Sequence, residues 1–213
     1  MPVKVLTTFV KGSPIAAFIK QNLRSRGMTF EGKEVEQGGP WGFRHQFNIA
    51  DSGCGSRGPR VQNDRAGEVG RTLSLRDFDV DRIFGKEGVG ILHLSGLIAA
   101  LSPETGEFCL ELAKKAKQYG TAVSFDLNYR DSFWKGRESE LHAIFSEIAS
   151  NADILVGNEE DFQLCLGIKG PEAGGKDIAS KIESFKEMIG RVKAAYPNAK
   201  VFATTLRQVV NAN

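Results

Sequence analysis

The chain has 213 residues, 41% of them hydrophobic and 25% charged, with a formal net charge of +2. That length is enough for one large core, and the near-neutral balance gives no electrostatic case for nucleic acid or an acidic membrane surface as a partner. The longest apolar runs fall well short of the roughly 18 residues a membrane helix needs, and Met1-Pro2-Val3-Lys4-Val5 leads into strand-like sequence without a basic-then-apolar leader.

Val3 to Val10 is β-branched and apolar and predicts a buried strand. Ser13 as N-cap and Pro14 at the first helical position then open a helix that turns Ile15, Phe18, Ile19 and Leu23 to one face and closes at Gly27. From Met28 to Gly70 glycine and proline are dense and helical periodicity disappears. Two or three short strands joined by turns are expected there, forming a small β lobe over residues 29–66 inserted in an α/β body of residues 1–28 and 67–213. One long surface loop is the other reading, though a structureless loop of that length is unusual in a compact domain.

Leu75 to Phe84 predicts a short helix, and Val89 to Ser95 a strand ending at Gly96. Ser102-Pro103-Glu104 opens a helix that buries Phe108, Leu112 and Ala116 and stops at Gly120. Thr121 to Asp126 is the next strand, and Glu138 to Ser150 a helix with Leu141, Ile144, Phe145 and Ile148 inward. A strand at Asp153 to Gly157, a short helix at Glu160 to Leu166 and an amphipathic helix at Asp177 to Tyr196 follow. In the last of these Ile182, Phe185, Ile189, Val192 and Ala195 share a face, and Lys200 to Thr205 is the final strand. This alternation predicts a mainly parallel sheet with helices on both faces.

Cys54, Cys109 and Cys165 are odd in number and far apart, without CxxC spacing. Free thiols in a reducing cytoplasm fit this pattern, with Cys109 and Cys165 as small core residues. His45, His93 and His142 are scattered, and none is assigned a catalytic role. A GxSxG elbow, a phosphate-binding GxxxxGK[ST], a GxGxxG after a strand and an HExxH are all absent, which leaves a hydrolase without a nucleophile motif.

Chemistry is best placed where two apolar strands end in polar side chains. Asp126 to Arg130 offers a carboxylate, an amide and a guanidinium within five residues, a set that could hold an anion. The other reading of the same spacing has Asp126 capping the turn and Arg130 pairing on the surface, and spacing alone does not choose. Asn158-Glu159-Glu160-Asp161 could position a hydrated magnesium ion, and it also makes a good helix start with Asn158 as N-cap. The two roles are compatible.

Phe125 to Arg130, with Trp134-Lys135 after it, resembles the DxNxR…LW segment of the ribokinase-like (PfkB) sugar kinases, and the form with Tyr129 is most similar to the 2-keto-3-deoxygluconate kinase branch. Ala152 to Asp161 is similar to that family's "AD-apolar-NxxE" segment, and Leu94-Ser95-Gly96-Leu97 to its "SGI" strand end. Val61 to Ala66 resembles its lid strand VxYDRA, and Thr205-Leu206-Arg207 its TLR. Five segments in the right order span nearly the whole chain.

The resemblance implies a ribokinase-like α/β body with a small β lid, and transfer of the ATP γ-phosphoryl group to a hydroxyl of a sugar or sugar acid. By the same resemblance Arg130 would hold the substrate's acid group and Arg65 would reach it from the lid. Asn128 would face the phosphates, Thr205 and Arg207 would border the nucleotide, and Asn158 and Asp161 would help place Mg²⁺ through its waters. Asp161 stands where the family has Glu, and Asn63 where its lid has Tyr. The family's GAGD segment, with the anion hole and the Asp that takes the hydroxyl proton, is expected beyond Asn213, and the GG…N sugar motif before Val3. Much of what phosphoryl transfer needs for positioning and charge stabilisation is then outside this chain. A fragment or non-catalytic binding module of the same fold is the alternative, and exposed sheet edges would favour self-association into a homo-oligomer.

Overall fold

The computed structural model describes residues 1–58, 60–170 and 178–204, and it falls into two units, Met1–Phe78 and Asp79–Asn213. The first unit opens with β1 (Lys4–Val10), α1 (Pro14–Ser25) and β2 (Thr29–Val35), and the two strands pair in parallel from Lys4↔Thr29 to Val10↔Val35. The predicted start of α1 is present: Ser13 Oγ accepts the Ile15 and Ala16 amides, and Gly27 ends the helix at φ +69°. Its inward face differs from the prediction. Ala16 is buried whereas Phe18 is 65% exposed, because at 3.6 residues per turn Phe18 stands about 200° round the helix from Ala16.

Residues 29–66, expected as an inserted lid, hold two kinds of pairing. Their first strand, β2, joins β1, while β3 (Phe47–Asp51) and β4 (Arg60–Asp64) form a separate antiparallel hairpin, Phe47↔Asp64 to Asp51↔Arg60. All of β4 is exposed, and Arg57 pairs with Asp51 near the hairpin's far end. Below the hairpin the chain is tied to itself by Arg44 N–H to Gly67 O at 2.8 Å and Val69 N–H to Arg44 O at 2.9 Å. The helix expected over Leu75 to Phe84 is instead a 3-10 turn at Leu75–Asp77 and a π-helical turn at Arg82–Lys86. Phe78 lies between them in extended backbone, φ −132°, and this breaks the helical run.

The second unit contains β5 (Ile91–Ser95), α2 (Gly96–Ala99), α3 (Pro103–Gln118), β6 (Ala122–Asp126), α4 (Asp131–Trp134) and α5 (Glu138–Ser150). It continues with β7 (Ile154–Val156), α6 (Glu159–Leu166), α7 (Ile178–Ala195) and β8 (Val201–Ala203). The strands form one parallel sheet in the order β5-β6-β7-β8. Because side chains alternate along a strand, Val123, Phe125 and Leu155 share one face, where all three are fully buried along with Phe145 and Ile148 of α5 and Leu112 and Ala116 of α3. Cys109 and Cys165 lie in the core as expected, and burial pushes the Cys109 thiol up to about 12. In α7 the buried stripe is Phe185, Met188 and Val192, continued by Tyr196 just past the helix end, while Ile182 and Ala195 are exposed. No helix among the described residues is long and apolar enough to cross a membrane.

Asp153 explains the Ala-Asp pair before β7. Its carboxylate accepts the Val123 amide at 2.9 Å and both its oxygens meet Lys117 Nζ at 2.7 Å, while its carbonyl receives the Lys200 amide at 2.8 Å. Burial alone would raise this carboxyl, but the Lys117 ammonium and the Val123 N–H hold it below its usual range. Asp153 therefore fixes the register of three strands at the sheet edge opposite the polar strand ends.

Candidate functional site at the carboxyl ends of the parallel strands

Ser95, Asp126 and Val156 are register neighbours at the carboxyl ends of β5, β6 and β7. Open parallel sheets bind ligands just beyond such ends. After Asp126 the chain does not continue as strand: Leu127 N–H binds Val156 O at 2.9 Å, and Asn128 takes a left-handed backbone at φ +42°. It is the single positive-φ residue other than glycine among the described residues, and asparagine is one of the few side chains that tolerate this region. Its Nδ2 donates to Ser95 Oγ at 3.2 Å.

Gly96 makes that approach possible. A Cβ on Gly96 would sit 2.0 Å from the Leu127 carbonyl oxygen and 2.7 Å from the Phe145 ring. The Ser-Gly pair after β5 is thus the partner of the Leu-Asn pair after β6, Ser by a hydrogen bond and Gly by leaving room. In the sequence the only sign of this pairing is a serine and a glycine at the end of an apolar strand.

Asn158 caps α6, its Oδ1 accepting the Glu160 amide at 2.8 Å and the Asp161 amide at 2.9 Å. Asp161 completes a capping box, Oδ2 accepting the Asn158 amide at 2.9 Å, and its Oδ1 accepts the Tyr129 amide at 2.9 Å. The helix-start role is therefore present. The Asn158 oxygen and both Asp161 oxygens already accept backbone N–H groups, so these side chains are first of all helix-start groups, and each Asp161 oxygen keeps a lone pair that water could use. Among the described residues no three His, Cys, Asp or Glu side chains gather in a way that could hold a metal ion.

Arg130 is exposed, with Nη1 donating to Tyr129 O at 2.6 Å. Asn128, Asn158 and Asp161 are thus brought together in the second unit, with Arg130 two residues from Asn128. Arg65 belongs to the first unit, where its Nη1 meets both Glu68 oxygens at 2.7 and 2.9 Å. Thr205 and Arg207 lie outside the described residues. His93 Nδ1 is 3.1 Å from Ser124 Oγ on the Asp126 side of the sheet.

Burial first, and the Asp161 carboxylate second, push the Asp126 carboxyl above its ordinary value; His93, the Asn128 N–H and Arg130 only partly offset this. A carboxyl whose folded pKa lies above its unfolded one costs stability as pH rises from the usual aspartate range through the raised value. Asp126→Asn should therefore gain on wild type over that interval and hold the gain at neutral pH. Urea unfolding at several pH values from 3 to 7 checks this, and a constant difference at every pH would refute it.

Residues 86–196 match the family described as pfkB family carbohydrate kinase. The chain is 31% identical to 5-dehydro-2-deoxygluconokinase of Clostridium perfringens over 117 residues, 55% of this chain and 33% of that protein. It is 28% identical to 2-dehydro-3-deoxygluconokinase of Bacillus subtilis over 127 residues, 60% of this chain and 38% of that one. The crystal structure of 2-dehydro-3-deoxygluconokinase from Thermotoga maritima superposes with a TM-score of 0.78 at 26% identity, over 96% of this chain and 57% of that one. The chain belongs to the pfkB family of carbohydrate kinases, and its fold is the ribokinase-like α/β fold of that family. It spans little more than half the length of the T. maritima enzyme, and the matches to the curated relatives cover about a third of theirs.

Proposed function

We propose that this chain carries the sugar-acid and phosphate contacts of an ATP-dependent kinase acting on a hydroxyl of a 2-dehydro-3-deoxygluconate-like acid. The observation that carries the reading is the joining of Ser95, Asn128 and Asp161 across three strand ends, which sets an exposed Arg130 beside an amide in left-handed backbone. A guanidinium can grip a carboxylate with two parallel hydrogen bonds, and the Arg130 guanidinium is exposed, with Nη1 donating to its neighbour's carbonyl. Asn128, two residues before Arg130, carries a side-chain amide that could donate to phosphate oxygens. Arg65 as a second acid contact, Thr205 and Arg207 beside the nucleotide, and residues 29–66 as a lid belong to the same proposal. The names of the relatives support the substrate class. Mg²⁺ accompanies ATP in this reading, and no step is routed through it. A cytoplasmic location and a homo-oligomer are part of the proposal as well.

ATP consumption with 2-dehydro-3-deoxygluconate tests the reading, on the 213-residue chain and on a chain extended at both ends from its genomic reading frame. Acid-dependent ADP release by either supports it. No release by either, with both folded, leaves a non-catalytic module of this fold. Arg130→Ala should raise the KM or Kd for the acid by about ten- to a hundredfold, the worth of a charge-assisted hydrogen bond. An unchanged value removes Arg130 from the site.

A further inference from the structure

Resting on that kinase reading, we propose that Asp161 is a positioning residue whose carboxylate latches the loop after β6 to the start of α6. It thereby sets how Asn128 and Arg130 are presented, instead of organising a metal ion. In a capping box the acid three residues into the helix reaches back to the N-cap amide, a contact that needs one of its oxygens. Here Oδ2 takes the Asn158 amide and Oδ1 takes the Tyr129 amide, both at 2.9 Å, and the residue is only 8% exposed. Tyr129 N–H lies between the two residues the site needs. A backbone held at φ +42° in Asn128 is disfavoured for any side chain. It persists where the flanking groups are pinned, and the pins are the Asp161 carboxylate on one side and Ser95 Oγ on the other.

The length of the side chain matters. Gly157, a residue before the N-cap, lets α6 come close: a Cβ there would lie 3.1 Å from Asp161 Cβ and 3.2 Å from Leu127 Cδ1. In this tight space a short acid reaches two amides at once, and an added methylene moves the carboxylate off one of them. The Glu that resembling kinases carry at this position is therefore expected to serve this chain less well than its own Asp.

The test uses Asp161→Asn and Asp161→Glu, with Glu160→Gln, an exposed neighbour, as the charge control. Hydrogen exchange of the Tyr129 and Asn158 amides reads the latch without any ligand, and the Val123 and Leu155 amides of the core report that each variant is folded. Calorimetry reads acid-sugar affinity, and nucleotide binding across a Mg²⁺ titration reads the metal. The Asn variant should lose protection at one or both latch amides and bind the acid sugar about tenfold more weakly, the loss of one charge-assisted hydrogen bond. Its Mg²⁺ midpoint should not move. The Glu variant should keep Asn158 protected, lose Tyr129 and weaken acid binding alike.

Unchanged exchange at Tyr129 in both variants overturns the latch. Lost protection with intact acid affinity and a shifted Mg²⁺ midpoint, or full function of the Glu variant, overturns the positioning role in favour of metal placement. Wild-type acid binding is measured in the same series. If it is absent the kinase reading fails first and the positioning role falls with it, whereas a present wild-type signal makes any variant failure a failure of Asp161 alone.

Discussion

Gly96→Ala is expected to lower the unfolding free energy by about 3 kcal/mol, at the upper end of what overpacking a well-filled interior costs. A methyl group there would stand 2.0 Å from the Leu127 carbonyl oxygen, a backbone atom that cannot swing aside as a side chain could. On its other side it would be 2.7 Å from the fully buried Phe145 ring. Relief requires the backbone after β6 to withdraw from the backbone after β5. Leu127 N–H is bonded to Val156 O, so the withdrawal also loads the β6–β7 ladder. The same movement stretches the Asn128 Nδ2 to Ser95 Oγ bond, so exchange at the amides of residues 127–129 should rise more than at the centre of α3. Urea unfolding gives the stability change. A loss below about 1 kcal/mol, the scale of a tolerated core swap, would show that the Leu127 carbonyl yields cheaply.

This contact shows which parts of the molecule were legible in the sequence. Strand and helix positions were readable because burial writes itself into residue order. β1 follows its β-branched run, α3 starts at Ser102-Pro103, and α5 turns Leu141, Phe145 and Ile148 inward as its period requires. The motifs around Asp126 and Asn158 were also visible, since polar residues at apolar strand ends stand out. What those residues hold was not visible. Whether Asp161 serves a cation or two amides depends on where the Tyr129 N–H points, and that is set by the backbone of Asn128. Likewise β2 reads as one strand of a glycine-rich lobe, yet it pairs with β1 because α1 is long enough to return the chain in parallel. In α1 the apolar residues outnumber the positions that two strands can cover, so Phe18 remains exposed. Periodicity names a candidate face; the neighbour's width decides how much of it is used.

Trp134→Ala should cost about 4 kcal/mol, within the range for truncating a buried aromatic. Against total stabilities of roughly 5–15 kcal/mol, such a loss brings a domain of this size near its threshold. Trp134 is 2% exposed and ends α4, a helix of four residues with little stability of its own. It joins that turn to α5 through edge contacts with Phe145 at 4.9 Å and His142 at 5.2 Å. It also supports the Tyr129 ring at 5.3 Å, and Phe145 passes the contact on to Phe125 in β6 at 5.4 Å. The Asp-to-Trp motif is therefore one packed unit: the strand end presents Asn128 and Arg130, and the tryptophan four residues beyond Arg130 anchors the loop between them. Trp134→Phe should retain roughly half the lost stability, because a smaller ring still meets Phe145 but leaves part of the space unfilled. Fluorescence separates this from a general loosening. The only other tryptophan, Trp41, is 97% exposed, so in Trp41→Phe protein the emission comes from Trp134 alone and should be blue-shifted. Acid-sugar titration of that protein should change the emission if the Arg130 loop takes up ligand, because Tyr129 lies against the indole. An unfolding curve for Trp134→Ala that coincides with wild type would mean that α4 is held by something other than this aromatic chain.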